Sequence, residues 1–133
     1  MKTFYKLFFA LSFVFLLASC SSDDDSGPTG FIDSWKYIGY TENGEYVNDQ
    51  DECYNEILTI NSDNTGNIAI EDCDFGDESY DFTWEENENG TFTLIVGEMG
   101  ISENVNLTFP EGNDKLFVTV VGDENYSDVY IRQ

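Results

Sequence analysis

The chain contains no histidine and only five Lys and Arg residues, against 27 Asp and Glu residues in a length of 133. Without an imidazole, catalysis by a histidine acid or base is excluded. So few cations cannot form the basic face that displaces counterions from phosphates, so nucleic-acid binding is excluded as well. Three cysteines without histidine do not supply the usual Cys and His ligands of a zinc site. We expect no nucleic-acid partner.

Both lysines of the first six residues precede a largely apolar run over residues 7–17. This run is shorter than the ~20 residues of a membrane span, and it is followed by the small residues Ala18 and Ser19, so it is typical of a secretory signal. Leu17-Ala-Ser-Cys20 resembles the lipobox of bacterial lipoproteins. The resemblance implies a signal peptide over residues 1–19 and attachment to a membrane through lipid on Cys20.

Residues 20–30 form an acidic tether. After Cys20 they are small, acidic or turn-forming, so they cannot build a core and are expected to be flexible. Ser22 and the three aspartates 23–25 resemble the signal that sends lipoproteins to the outer face of the outer membrane in one large group of Gram-negative bacteria. We expect an outer-membrane lipoprotein exposed on the cell surface, and attachment at the periplasmic face is the alternative.

From residue 31 to 133 the apolar residues recur with period two, and turn residues follow about every ten positions. This pattern is typical of antiparallel strands and predicts one all-β domain. Consecutive hairpins favour an eight-stranded up-and-down meander that closes into a barrel, with a β-sandwich as the alternative. The predicted strands cover residues 34–41, 52–60, 66–72, 79–85, 91–96, 101–109, 115–122 and 126–132.

Bulky apolar side chains share the predicted inner face of these strands. An eight-stranded barrel has room for a packed core or for one small ligand. Glu56 and Glu103 fall on the same face, and we expect each to lie near a mouth of the barrel. The residues predicted to line a small ligand cavity are Tyr80, Phe82, Trp84, Leu94 and Leu107.

With Cys20 taken by lipid, Cys53 and Cys73 remain. Export to an oxidising compartment favours a disulfide between them. If the turn after Ile60 centres on Asp63, the two cysteines face each other across neighbouring strands, close enough to be bridged. Acidic neighbours disfavour a thiolate, so we predict a structural and not a redox-active bridge.

The lipobox, an early Trp35, the cysteine pair and a closing Tyr130-Ile-Arg132 together resemble small lipocalin-like lipoproteins of Gram-negative bacteria. The resemblance covers about residues 32–133 and implies a lipocalin-like barrel. It also implies that Arg132 lies across Trp35 and closes one end of the barrel. The chain departs from the family pattern at Asp33, where lipocalins have glycine.

Asp72, Asp74 and Asp77 surround a glycine turn and are weak candidates for Ca²⁺ ligands. Their spacing does not match an EF-hand loop, so they stay weak candidates, and we otherwise predict no metal site and no cofactor. No carboxylate pair stands out among the acids, and we expect no enzymatic activity.

Two functions fit these features. The first is a surface-anchored module that binds a small apolar or amphiphilic ligand, because apolar walls with few polar anchors suit such a ligand. The alternative is a non-catalytic scaffold or accessory subunit of a surface protein complex, with a filled barrel and a protein partner.

Overall fold

The computed structural model describes residues 30–97 and 99–133. Within them the chain forms strands and no helix, so no described segment is an apolar helix long enough to span a membrane. The predicted signal peptide, Cys20 and the tether up to residue 29 lie outside the described residues. The strands are β1 (Asp33–Glu42), β2 (Glu45–Asn48), β3 (Tyr54–Ile60), β4 (Thr65–Asp72), β5 (Glu78–Glu86), β6 (Phe92–Val96), β7 (Ile101–Thr108), β8 (Lys115–Val120) and β9 (Tyr126–Arg132).

The strands form one closed antiparallel sheet. From β3 to β9 each strand pairs with its neighbour in sequence, and β9 returns to pair with β1. The first residues of β1 pair with β3, so β1 and β3–β9 make an eight-stranded up-and-down barrel. The predicted barrel is confirmed, and the sandwich alternative is wrong because closure leaves a single sheet.

The extra strand β2 was absent from the predicted set. It pairs with the second half of β1, beyond the point where β1 leaves β3. Asn43 and Gly44 join the two strands, and both have positive φ (52° and 83°), which matches the turn that right-handed strand twist favours. All four residues of β2 are exposed, so the strand has no alternation of buried and exposed side chains to reveal it.

The apolar core fills one end of the barrel, here called the closed end. Trp35 is fully buried there, and Phe31, which precedes β1, packs edge-on against Trp84 and Phe92 with ring centroids 5.3 and 4.7 Å apart. The buried residues of this core are Phe31, Trp35, Leu58, Ile60, Phe82, Phe92, Val105, Leu116 and Tyr130. The other end of the barrel, here called the mouth, is where β3, β5, β7 and β9 begin and β4 ends.

Gly66 on β4 makes room for the ring of Phe82, which is its direct partner on β5. A Cβ atom on residue 66 would lie 2.1 Å from Cζ of Phe82 and 2.6 Å from the carbonyl oxygen of Thr59. Glycine at this position therefore lets the buried Phe82 ring pack directly against the β4 backbone.

The disulfide between Cys53 and Cys73 is confirmed. The pairing of Tyr54 with Asp72 and of Ile60 with Gly66 is the predicted register, and the Cα atoms of the two cysteines are 5.1 Å apart. The amide of Cys73 also donates to the carbonyl oxygen of Cys53 at 3.1 Å. The bridge therefore joins the loops before β3 and after β4 at the mouth.

Candidate ligand site at the mouth of the barrel

Most of the predicted cavity residues belong to the filled part of the barrel. Phe82 is buried in the core, and Trp84, Leu94 and Leu107 pack against that core. Tyr80 lies nearer the mouth, where its hydroxyl donates to the carboxylate of Glu78. The bulky side chains that sequence reasoning assigned to a cavity thus largely fill the space themselves.

Trp35 and Arg132 are in contact at the closed end. They are direct partners of β1 and β9, and the guanidinium carbon of Arg132 lies 4.4 Å from the Trp35 ring centroid. The indole N–H donates to the carbonyl oxygen of Phe31 at 2.8 Å, and Arg132 donates to the carbonyl oxygens of Gly30 and Asn113, each at 3.0 Å. The pair therefore lies at the filled end, where the sequence predicted that it closes the barrel.

Asp33, the residue that departs from the lipocalin pattern, forms an ion pair with Arg132. The backbone amide of Ser34 also donates to its carboxylate at 2.8 Å. Both contacts lower the pKa of Asp33 below its usual value, and the hydrogen bond from the Ser34 amide contributes more than the Arg132 guanidinium. In this chain a carboxylate at position 33 helps to orient Arg132 over the indole.

At the mouth, tyrosines and carboxylates surround an open cavity of about 400 Å³. They come from the β2–β3 loop and from four adjacent strands, β9, β1, β3 and β4. Alternate residues of β3 and β9 face inward beside Tyr37 of β1. We call this cavity with its lining the acidic mouth. Its lining residues are Tyr37, Asp49, Asp51, Tyr54, Glu56, Asp72, Asp128 and Tyr130.

Glu56 is the central carboxylate of the acidic mouth. One of its oxygens accepts a hydrogen bond of 2.5 Å from the hydroxyl of Tyr54, and the other accepts one of 2.6 Å from Tyr130. Burial, together with this carboxylate, raises the pKa of both phenols, and that of Tyr130 lies well above its ordinary value. The two hydroxyls therefore stay protonated and act as fixed donors to Glu56.

Asp128 is the second inward carboxylate. Burial raises its pKa, and the negative charges of Glu56 and Glu103 add to this, while a 3.1 Å hydrogen bond from the hydroxyl of Tyr126 opposes it. Burial and the charge of Asp128 in turn raise the pKa of Tyr126 to about 12. The inner surface of the mouth therefore favours neutral phenols and resists further negative charge.

The rim of the acidic mouth is held by the disulfide and by short turns. The carboxylate of Asp51 accepts the amide of Cys53 at 2.9 Å, and that of Asp49 accepts the hydroxyl of Tyr37 at 3.4 Å. Asp72, at the end of β4, is the direct partner of Tyr54. The Cys53–Cys73 bridge thus lies beside residues that line the cavity.

The weak calcium candidates are not drawn together around a metal position. Asp72 instead accepts the backbone amides of Asp74 and Phe75, at 2.8 and 3.1 Å, and so stabilises its own turn. Within residues 30–97 and 99–133 there is no group of three or more His, Cys, Asp or Glu side chains that could hold a metal ion.

Tyr37, Tyr54, Asp128 and Tyr130 are not among the site residues predicted from the sequence. The local signal that could have revealed them is the period-two spacing of tyrosines and acids in Tyr54-Asn-Glu56 and Tyr126-Ser-Asp128-Val-Tyr130. Glu56 does lie on the inner face towards the mouth, where the sequence predicted it. Glu103, opposite Leu94, lies at the same end.

Searches of family models, curated proteins and solved structures find no significant match to this chain. Its class therefore rests on its own architecture. A closed eight-stranded antiparallel barrel with a Cys53–Cys73 disulfide is consistent with a lipocalin-like domain.

Proposed function

We propose that this chain is a lipid-anchored, lipocalin-like protein that binds a small amphiphilic ligand in the acidic mouth. The main support is the cavity of about 400 Å³, in which tyrosine rings and carboxylates line one space beside a filled apolar core. Aromatic walls with a few polar anchors suit a ligand that has an apolar body and a polar head. A wholly apolar ligand fits less well, because core side chains occupy the closed end.

The proposed role is binding without chemistry, at the surface of the outer membrane. Attachment through Cys20 and surface exposure rest on the lipobox and on the aspartates that follow it. Metabolic labelling with a palmitate analogue tests the anchor: wild type is expected to be labelled and Cys20→Ala is not. Protease added to intact cells distinguishes the outer face, where the domain is degraded, from the periplasmic face, where it is protected.

Native mass spectrometry of the full processed chain, released from its own membrane in mild detergent, tests the binding role. We expect a co-purifying mass of a few hundred daltons on wild type. Glu56→Gln should reduce the bound fraction, because it removes the charge that both tyrosine hydroxyls face. Glu85→Gln is the matched control, since Glu85 is exposed on β5. A bare protein mass in every preparation contradicts the proposal.

A second candidate function, docking to a protein partner, is favoured by Phe75. This side chain is 87% exposed at the tip of the β4–β5 loop. The loop is held by the disulfide and by a hydrogen bond of 2.8 Å from the Gly76 amide to the Asp72 carbonyl oxygen. Acidic neighbours point to a basic partner surface with an apolar pocket.

Cross-linking on intact cells tests this second function. A partner that binds through the loop should be lost in Phe75→Ser and retained in Ile95→Ser, where Ile95 is an exposed apolar residue of β6. A partner retained in both variants excludes docking through Phe75.

A further inference from the structure

The acidic mouth holds negative charge that the described part of the chain does not neutralise. The two ion pairs among residues 30–97 and 99–133 are Arg132 with Asp33 and Lys115 with Glu111, and neither involves a residue that lines the mouth. Lys36 lines a neighbouring cavity together with Asp49 and Asp51 of the rim, and it forms no ion pair with them. A ligand that enters the mouth therefore meets Glu56 and Asp128, which have no ion-pair partner among the described residues.

Three tyrosine rings share this cavity with the carboxylates. Tyr37 lies edge to face with Tyr130 and with Tyr54, at centroid distances of 5.6 and 6.2 Å and with interplanar angles of 71° and 83°. Because the three rings are steeply inclined to one another, they face the cavity in different directions. Aromatic faces attract cations through the ring quadrupole, and they also offer contact area to an apolar body.

The described carboxylates of the mouth do not form a group that could hold a metal ion. Ca²⁺ requires six to eight closely spaced oxygen ligands. The described residues provide no group of three acidic, Cys or His side chains that could hold a metal. Glu56 on β3 and Asp128 on β9 instead lie on the two strands that flank β1, and both line the same cavity as the tyrosine rings.

Glu56 is fixed before any ligand arrives. Both of its oxygens accept hydrogen bonds from tyrosine hydroxyls, and Tyr130, one of the two donors, is only 6% exposed. A carboxylate held in this way does not need to be ordered on binding, which lowers the entropic cost of recognising a cation.

We propose that the acidic mouth binds an organic ammonium ion, with the charged nitrogen beside Glu56 and Asp128 and the apolar body against the tyrosine rings. This inference rests on the proposed function, because it names the ligand class of the same cavity. It follows from three features together: a cavity, unneutralised carboxylates and aromatic walls.

Isothermal titration of the full chain in detergent micelles, at physiological ionic strength and with micelle blanks, tests the inference. The probes are phenethylammonium, 2-phenylethanol and phenylacetate, which share one apolar body and differ in the charge of the head group. We expect phenethylammonium to bind at least about tenfold more tightly than the alcohol, with phenylacetate weakest. Glu56→Gln and Asp128→Asn should each weaken the ammonium by a similar factor and leave the alcohol unchanged.

Glu85→Gln, on the exposed face of β5, is the control and should leave the affinity for phenethylammonium unchanged. If Asp128→Asn does not fold, Asp49→Asn on the rim replaces it. Equal binding of the ammonium and the alcohol overturns the inference but not the proposed function. Binding of none of the three probes contradicts both. Ammonium binding that the mouth variants do not change places the cation elsewhere on the acidic surface and also overturns the inference.

Discussion

The carboxylate of Glu56 accepts a hydrogen bond of 2.6 Å from the hydroxyl of Tyr130, although 74 residues separate the two in sequence. Glu56 lies on β3 and Tyr130 on β9, the two strands that flank β1 in the closed barrel. The acidic mouth therefore forms only when the last strand of the chain closes on the first.

Tyr130→Phe is expected to destabilise the folded domain by about 1–3 kcal/mol, because a hydrogen bond to the half-buried carboxylate of Glu56 is lost while the ring stays in place. Urea unfolding measures the change. Tyr40→Phe is the control and should change stability by less than about 0.5 kcal/mol, because it leaves the stacking of that ring on Tyr126 in place. Equal stability of wild type and Tyr130→Phe contradicts the assigned contact.

The stability of the domain should depend on the ionisation of Asp128. Burial and the charges of Glu56 and Glu103 raise its pKa above the ordinary 3.8, and the Tyr126 hydroxyl opposes them. Tyr37 faces Asp128 from β1. Because the folded state binds this proton more tightly than the unfolded state, the carboxylate costs stability above its folded pKa, and the cost disappears as the pH falls below the unfolded value.

We therefore expect Asp128→Asn to be at least as stable as wild type at about pH 7 and to lose this advantage at about pH 3. Urea unfolding at a series of pH values checks this, and Glu85→Gln serves as the exposed control. A constant difference between Asp128→Asn and wild type across the series contradicts the raised pKa.

Loss of the disulfide should destabilise the domain by up to about 3 kcal/mol, since Cys53 and Cys73 are 20 residues apart. The effect is smaller if the β3–β4 hairpin persists in the unfolded chain. Urea unfolding of wild type with and without reductant measures it. The double variant Cys53→Ser/Cys73→Ser should have the same free energy of unfolding as reduced wild type, and reductant should not change it. A double variant as stable as the oxidised protein contradicts a stabilising bridge.

Arg132→Ala is expected to cost about 2 kcal/mol, because it removes the contact with Trp35 together with hydrogen bonds to two backbone carbonyls. Lys115→Ala is the comparison: its ion pair with Glu111 is exposed, and such pairs contribute less than about 1 kcal/mol. Thermal unfolding of both variants tests the difference. Equal losses show that Arg132 behaves as an ordinary surface charge.

The strands of the barrel could be predicted because burial alternates with period two along them, as in Tyr80, Phe82 and Trp84 on β5. The extra strand β2 could not be predicted from burial, since all its residues are exposed, although Asn43-Gly44 marks its turn. The pairing of Cys53 with Cys73 could be predicted because the position of the turn between β3 and β4 sets the register of the two strands.

The candidate site was harder to predict, for two physical reasons. Whether Phe82 lines a cavity or fills it depends on Gly66 opposite, a relation between strands that is visible only when the register is known. The acidic mouth brings Tyr37, Glu56 and Tyr130 together from distant parts of the chain. Period-two spacing places each residue on the inner face, but only closure of β9 on β1 makes them neighbours.

The most direct test of ligand binding in the mouth is a nuclear magnetic resonance titration of the isotope-labelled full chain with phenethylammonium. The account predicts saturable shifts confined to residues around Tyr37, Tyr54, Asp128 and Tyr130, with residues near Trp35 at the closed end unmoved. Shifts spread evenly over the exposed carboxylates, or no saturable shift at the mouth, contradict it.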